Sequence, residues 1–335
     1  MQQLIHRIWY HNHWAKWLFL PLSGLFGVVS MLRRLMFSLG IQHATTLPVP
    51  VIVVGNITAG GSGKTPTVIY LIELLRQQGY TPGVISRGYG VEIQGCIAVN
   101  VGAKAIDVGD EPAMIVARTQ VPMVVGAKRV DAANMLLANN DVDVIISDDG
   151  LQHYALARDI EIALVDGERR YGNQCLIPAG PLREGLWRLK SVDFIINNGG
   201  PAQQNEVLMS LTPGPLVQVS QSDSEPLPIA QDVVAMAAIG NPQRFFNTLT
   251  QLGYNLANTV EFTDHQAFSA TELHRLSGEH PLVMTEKDAV KCRDFAESHW
   301  WYLPVNAKLT PEFDHALLSQ LQQVAQTKKG LSHGI

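Results

Sequence analysis

The sequence predicts an α/β fold: a mainly parallel sheet covered by helices on both faces, a smaller second α/β unit after it, and an apolar helical segment before it. Three observations carry that reading. After residue 46, short continuous apolar runs alternate with helical patterns, which is how parallel strands buried on both faces read. A stretch rich in Gly, Pro, Ser and Gln at 199–230 interrupts the alternation, which then resumes. Residues 17–32, "WLFLPLSGLFGVVSML", carry no charge at all. The 335 residues, 46% of them hydrophobic, leave room for about two domains of ~150 residues.

The N-terminal segment, residues 1–45, comes first. Trp9, Trp14 and Trp17 stand at the leading edge of the uncharged run, and Arg33 and Arg34 close it. No Asp or Glu precedes Glu73, whereas Arg7, Lys16, Arg33, Arg34 and Lys64 do. A spanning helix needs about 20 apolar residues; this run has 16 and is broken by Pro21. "MLRRLMF" makes a poor signal-peptide cleavage site. A basic, Trp-flanked segment lying in the lipid headgroup plane fits best, with a buried helix and a true span as the alternatives.

The first α/β unit is read over 46–205. "PVPVIVVGN" (48–56) is a buried strand, and "TVIYLIELLRQQG" (67–79) has apolar residues at helical spacing and stops at Gly79. "PGVISRGYG", "VPMVVGAKR", "DVDVIISDDG", "IEIALVD" and "DFIINN" supply further strands. A hinge is read over 206–230, and a second unit over 231–330, with strands in "DVVAMAAIG", "HPLVMTEKDAVK" and "WWYLPVNAKL" and a helix from about Gln243.

Composition narrows the function. A net charge of -5, from 25 basic and 30 acidic residues, argues against a general nucleic-acid binder. Cys96, Cys175 and Cys292 form no C-x-x-C pair, so neither a disulfide framework nor a zinc site is indicated. No obligate protein partner is evident.

"NITAGGSGKTP" (56–66) follows the first strand and precedes its helix. Gly63-Lys64-Thr65 matches the end of the phosphate-loop pattern G-x-x-x-x-G-K-[ST], but Thr58 stands where the first glycine is expected. Gly60, Gly61 and Gly63 let backbone N–H groups converge on phosphate oxygens, and Ser62 lies among them. The anion would sit on a helix N-terminus, with Lys64 reaching the terminal phosphates and Thr65 offering its hydroxyl to Mg²⁺. Pro66 falls in the first helical turn, where its missing N–H matters little. The first unit therefore reads as P-loop NTPase-like, and a structural glycine turn is the bland alternative.

Such a loop needs acidic partners at a neighbouring strand end. Asp148 and Asp149 in "VDVIISDDGLQH" fit, at the carboxyl edge where parallel sheets bind ligands. "VGDEP" adds Asp110 and Glu111, and "FTDHQAF" adds His265; a carboxylate and a histidine joined by domain closure could deprotonate an alcohol. In "PAGPLRE", Arg183 could neutralise a transferring phosphate and Glu184 could reach the metal. Arg87 of "SRGYG" is a further candidate anion contact. "TEKD" lacks the N-K-x-D spacing of a GTPase base reader and reads as a strand end or nucleotide-edge contact.

Together, "VGNITAGGSGKTP", "SRGYG", "GDEP", "ISDDGLQH", "PAGPLRE", "FTDHQAF" and "TEKDAVK" resemble the tetraacyldisaccharide 4'-kinase family of lipid A biosynthesis, from the apolar N-terminus to about residue 305. Thr58 and Pro66 are habits of that family. The resemblance implies two α/β/α domains joined by a hinge, with ATP and Mg²⁺ as cofactors. It implies transfer of the γ-phosphate to the 4'-hydroxyl of a tetraacyl glucosamine disaccharide 1-phosphate, a lipid A precursor. It also implies a peripheral or monotopic place at the cytoplasmic face of the inner membrane, on the membrane surface. Carried over by motif, Lys64 and Thr65 act on phosphates and Mg²⁺, Asp110 is the base paired with His265, Asp148 and Asp149 lie near the metal, and Glu184 is a further metal-side carboxylate. A P-loop kinase or ligase with a soluble substrate is the alternative, and the uncharged N-terminal run speaks against it.

Overall fold

The computed structural model describes residues 2–11, 13–220 and 227–332; positions 221–226 of the expected hinge lie outside them. Helices α1 (Gln2–Tyr10) and α2 (Lys16–Ser38) precede the sheets. Then follow β1 (Val51–Gly55), α3 (Lys64–Gln77), β2 (Pro82–Ser86), β3 (Cys96–Ala98), α4 (Ala105–Val108), α5 (Asp110–Thr119), β4 (Met123–Gly126), α6 (Arg129–Asn139) and β5 (Val144–Asp148). Strands β6 (Ile160–Asp166), β7 (Phe194–Asn198), β8 (Glu206–Pro213), β9 (Val217–Gln218) and β10 (Asp232–Ala237) lead to α7 (Pro242–Gln251) and β11 (Asn255–Glu261). The chain ends through α8 (Ala270–Ser277), β12 (Leu282–Thr285), α9 (Glu286–Cys292), β13 (Trp300–Leu303), β14 (Val305–Lys308) and α10 (Pro311–Ser332).

The larger sheet runs β14-β8-β7-β6-β1-β5-β2-β4-β3. It is parallel except where β3 and β14 add antiparallel edges. Side-chain alternation divides its core in two. Ile52, Val54, Val84, Val144 and Ile146 face a layer built by α3, α5 and α10. Val51, Val53, Ile85 and Ile145 face α6. In α3, Val68, Leu71, Ile72 and Leu75 are fully buried, each side chain contributing roughly 1.5–3 kcal/mol of gross burial energy. The smaller sheet, β11-β10-β12-β13-β9, is sandwiched likewise, by Phe245, Phe246 and Leu249 of α7 on one face and Leu273, Ala289 and Cys292 on the other.

The connection between the lobes is double, and it begins later than the expected hinge at 206–230, because Glu206–Pro213 form β8 and pair in parallel with β7 in the large sheet. The chain leaves the large sheet after β8 and returns to it at β14, and the crossings touch where the Gly214 N–H donates to the Pro304 carbonyl at 2.9 Å. "WWYLPVNAKL", read as belonging to the second unit, is divided at Pro304: β13 extends the small sheet and β14 the large one. Proline has no N–H to continue a ladder, so one strand cannot run through it. Residues 305–332 accordingly sit on the first lobe, where Phe313, Leu317 and Leu321 of α10 fill its core.

The N-terminal segment differs from its reading in one respect. Pro21 does not break it: α2 is continuous over 23 residues, long and apolar enough to cross a bilayer by length and composition. Trp17, Leu18 and Leu25 are each more than 60% exposed. Ser23 is its one buried residue. Its hydroxyl donates to the Leu176 carbonyl at 2.8 Å and accepts from the Ala179 N–H at 2.9 Å.

Candidate active site

The carboxyl ends of β1, β2, β5, β6 and β7 gather Gly55, Ser86, Asp148, Asp166 and Asn198 at one edge of the large sheet. The glycine loop starts there. Gly63, the residue before α3, has φ +92°, and a Cβ on it would lie 2.5 Å from Asn198 Nδ2, so only glycine fits. Asn198 Nδ2 donates to the Ser62 carbonyl at 3.2 Å. Asn56 steadies the other side, donating to the Gly60 carbonyl at 3.2 Å and accepting from Lys64 Nζ at 3.4 Å. Lys64 Nζ also lies 3.6 Å from Asp149 Oδ1. Ser62 is buried, its hydroxyl unpartnered, and Thr65 is buried in the first turn of α3. With its fixed φ, Pro66 continues that turn as expected.

Thr58 is explained by pairing. It forms an antiparallel bridge with Leu182, flanked by Ala59 N–H to Pro181 O and Arg183 N–H to Ile57 O, both 2.7 Å. An extended residue in a small ladder favours a β-branched side chain, and the entry to the loop needs no left-handed glycine. The partner segment, 176–183, turns back on itself through the Ile177 N–H to the Leu182 carbonyl, and is the one that Ser23 of α2 grips. Trp9 Nε1 of α1 holds it as well, donating to the Pro178 carbonyl at 2.9 Å.

The acidic pair has two environments. Asp148 ends β5 fully buried; its Oδ2 accepts from Ser86 Oγ at 3.2 Å, and Oδ1 has no partner. Burial, with the charges of Glu111 and Asp149, pushes its carboxyl up to about 7. Burial also acts on Asp149, but Lys64 and Arg183 prevail and hold it below the usual carboxylate range. Arg183 Nη1 reaches both Asp149 oxygens, at 3.0 and 3.1 Å. Behind the pair, Glu184 accepts from Gln152 Nε2 at 2.9 Å and from the Tyr154 hydroxyl. Both its oxygens are engaged, so a metal contact would require one of these bonds to be given up.

Asp110 and His265 come from different lobes. Asp110 opens α5, and its Oδ2 lies 3.0 Å from His265 Nδ1. His265 has a left-handed backbone, φ +64°. Burial favours the neutral acid, yet the His265 hydrogen bond and the Lys291 and Lys287 charges keep Asp110 below its ordinary value. The pair lines a cavity of about 370 Å³ between the lobes. Glu111, its neighbour, acts on Asp148, so one turn of α5 faces both clusters.

Several participants were not read from the sequence: Asn56, Asn198, Arg129, Gln152, Lys287 and Lys291. Asn56 stood inside the quoted loop motif, and position after the strand was its signal. Arg129, buried, donates to the Gly126 carbonyl at 3.0 Å; desolvation lowers its guanidinium to about 10. Arg87 is exposed beyond β2, its charge felt at Arg129 and His153. "TEKD" is a structural strand end: Asp288 is fully buried and its Oδ2 accepts from the Ala238 N–H at 2.9 Å and Thr285 Oγ1 at 2.7 Å.

Comparison with known proteins converges on one group. The family described as LpxK, tetraacyldisaccharide-1-P 4'-kinase, matches residues 15–322. A tetraacyldisaccharide 4'-kinase of Shewanella frigidimarina is 76% identical over 335 residues, covering all of both chains. One of Shewanella baltica is 63% identical over 338 aligned positions, again over the whole of both. Among solved structures, LpxK from Aquifex aeolicus in complex with ATP aligns with a TM-score of 0.76 and 26% identity, covering 92% of this chain and 99% of that one.

Proposed function

The chain belongs to the tetraacyldisaccharide-1-P 4'-kinase family, and from that premise we infer that it transfers the γ-phosphate of ATP to the 4'-hydroxyl of a tetraacyl glucosamine disaccharide 1-phosphate in lipid A biosynthesis. The observation that carries this reading is the meeting of Lys64 with Asp149 at the sheet's carboxyl edge, together with the Asp110–His265 pair that joins the two lobes.

The glycine loop from Gly60 to Thr65 cradles the phosphates of ATP through backbone N–H groups. Lys64 and Arg183 neutralise charge on the transferring group, a term that dominates phosphoryl transfer. The hydroxyl oxygen forms the new O–P bond as the bond from γ-phosphorus to the β–γ bridging oxygen breaks. ADP leaves with that electron pair, and the hydroxyl proton passes to the Asp110–His265 pair. Mg²⁺, when bound, would neutralise phosphate charge. The donors suit such a hard cation: Asp148 has a buried, unpartnered oxygen, and the Thr65 hydroxyl and an Asp149 oxygen released from Arg183 would be the further oxygen donors. Glu184 is tied to the start of the glycine loop through Gln152, whose Nε2 also donates to the Asn56 carbonyl at 3.2 Å.

The acceptor's acyl chains stay in the bilayer, since withdrawing each CH₂ costs about 0.8 kcal/mol. The exposed apolar surface of α2, with Trp17 on it and Trp14 just before it each 67% exposed, supports contact with the cytoplasmic face of the inner membrane. The test is transfer of labelled γ-phosphate from ATP to the lipid disaccharide in mixed micelles. Label in the 4'-phosphate is the expected result. Label confined to free phosphate, or transfer to a deacylated disaccharide at the same rate, refutes the lipid assignment.

A further inference from the structure

We propose that Lys291 is a positioning residue for phosphoryl transfer: its ammonium joins Asp110 of the first lobe to the His265 loop and to α9 of the second. The proposal rests on the reading of Asp110 and His265 as the proton-accepting pair.

An ammonium has three donors and no acceptor, and each of the three has a carboxylate or carbonyl oxygen nearby. Lys291 Nζ donates to Asp288 Oδ1 at 2.9 Å and to the Gln266 carbonyl at 3.2 Å, and lies 3.6 Å from Asp110 Oδ2. That last oxygen is the one facing His265 Nδ1. The Phe268 ring sits 4.9 Å from the ammonium, a favourable cation–aromatic contact. The side chain is 7% exposed, so bulk water does little to screen these charges.

The anchor is rigid. Asp288 is held by the Ala238 N–H, at the carboxyl end of β10, and by the Thr285 hydroxyl that caps α9. The load is the loop 263–268, in which His265 takes a left-handed conformation that such a residue keeps only when its surroundings enforce it. The Thr263 hydroxyl donates to Gln266 Oε1 at 3.0 Å, the Gln266 N–H donates to the Thr263 carbonyl at 3.1 Å, and Lys291 holds the Gln266 carbonyl. Lys287 borders the same loop: its Nζ donates to Asp264 Oδ1 at 2.8 Å and lies 3.4 Å from His265 Nε2 and 4.0 Å from Glu111 Oε1, whereas Lys291 reaches Asp110 Oδ2 itself.

A simpler role for Lys291 is neutralising buried Asp288. The pH profile separates the two. Facing Asp110 are Glu111 on its own helix, Lys287 and Lys291 on α9 with Asp288 behind, Asp264 and His265 on the loop, and Tyr89, whose ring lies 5.1 Å from His265. The Lys104–Asp294 pair and Arg293 stand at the cavity rim. Removing the Lys291 charge raises the Asp110 ionisation point. A reaction that needs ionised Asp110 then loses rate at a higher pH on the acid side.

The experiment uses the full chain, ATP and the lipid disaccharide in micelles, from about pH 5 to about pH 9. Lys291→Met is expected to lower kcat about tenfold or more, leave KM for ATP within about twofold, and move the acid limb upward; Lys291→Arg is expected to return the limb to its wild-type position. Lys291→Gln keeps a donor for Asp288 and Gln266 without the charge, and is the variant read if Lys291→Met does not melt cooperatively. Wild-type kcat, or a lowered kcat with an unmoved acid limb, overturns the proposal. Asp110→Ala is run beside them. If it keeps the wild-type rate, the reading of the pair falls and the proposal with it; if it is inactive while Lys291→Met and Lys291→Gln behave as wild type, only Lys291 is removed.

Discussion

The glycine loop and the Asp110–His265 pair serve one proposed reaction but are built in opposite ways. The loop is a contiguous stretch, 56–65, shaped by its own strand, its own helix and the tight contact of Gly63 with Asn198. The pair is assembled from positions 155 residues apart, and lysines of a third segment hold it across the lobe boundary. A contiguous site is preformed in one lobe. A site split between lobes exists only while they are docked, and can respond to their closure.

The largest expected effects test that contrast. Lys64→Ala should cut the transfer rate by about a hundredfold or more and also weaken ATP binding. Asp110→Ala should cut the rate by about 10²–10⁴ with ATP affinity unchanged by calorimetry, because its side chain faces the lobe boundary. Equal loss of ATP affinity in both variants would break the division.

A smaller effect sharpens the local half. Gly63→Ala places a methyl group against Asn198 in a left-handed backbone, strain of about 1–3 kcal/mol, and should weaken ATP binding about tenfold.

The smallest effect concerns Asp148. Its folded carboxyl ionises at about 7, against ~3.9 in an unfolded chain. As pH rises between those values, the unfolded state gives up a proton that the folded state retains, so the group costs stability, and above about 7 the cost is constant. Asp148→Asn should therefore melt higher than wild type in chelator at pH 8, and equally at pH 4. No gain at pH 8 would mean that Asp148 is already stabilised as an anion.

Much of the first lobe was legible because its signals are local. The strand at 51–55, the loop, the Pro66 turn and the amphipathic helix each follow from a few neighbouring residues, and Asp148-Asp149 from ending a continuous apolar strand. Strand β8, inside the expected hinge, and strands β11, β9 and β3 escaped notice, since none is a continuous apolar run buried on both faces. Pro21 misled, because a proline removes one helical hydrogen bond without ending a helix whose remaining residues are good formers.

By itself, the sequence determined what could be written in contiguous chemistry: the α/β class, a phosphate loop, an acidic strand end and an uncharged basic-flanked helix. Only the tertiary structure decided the rest. It returned 305–332 to the first lobe, made Thr58 a ladder residue against Leu182, fastened α2 to the same 176–183 segment, and brought Lys291 to Asp110. Those are long-range pairings between segments whose individual patterns fit many partners, and choosing among them takes the packing of the whole chain.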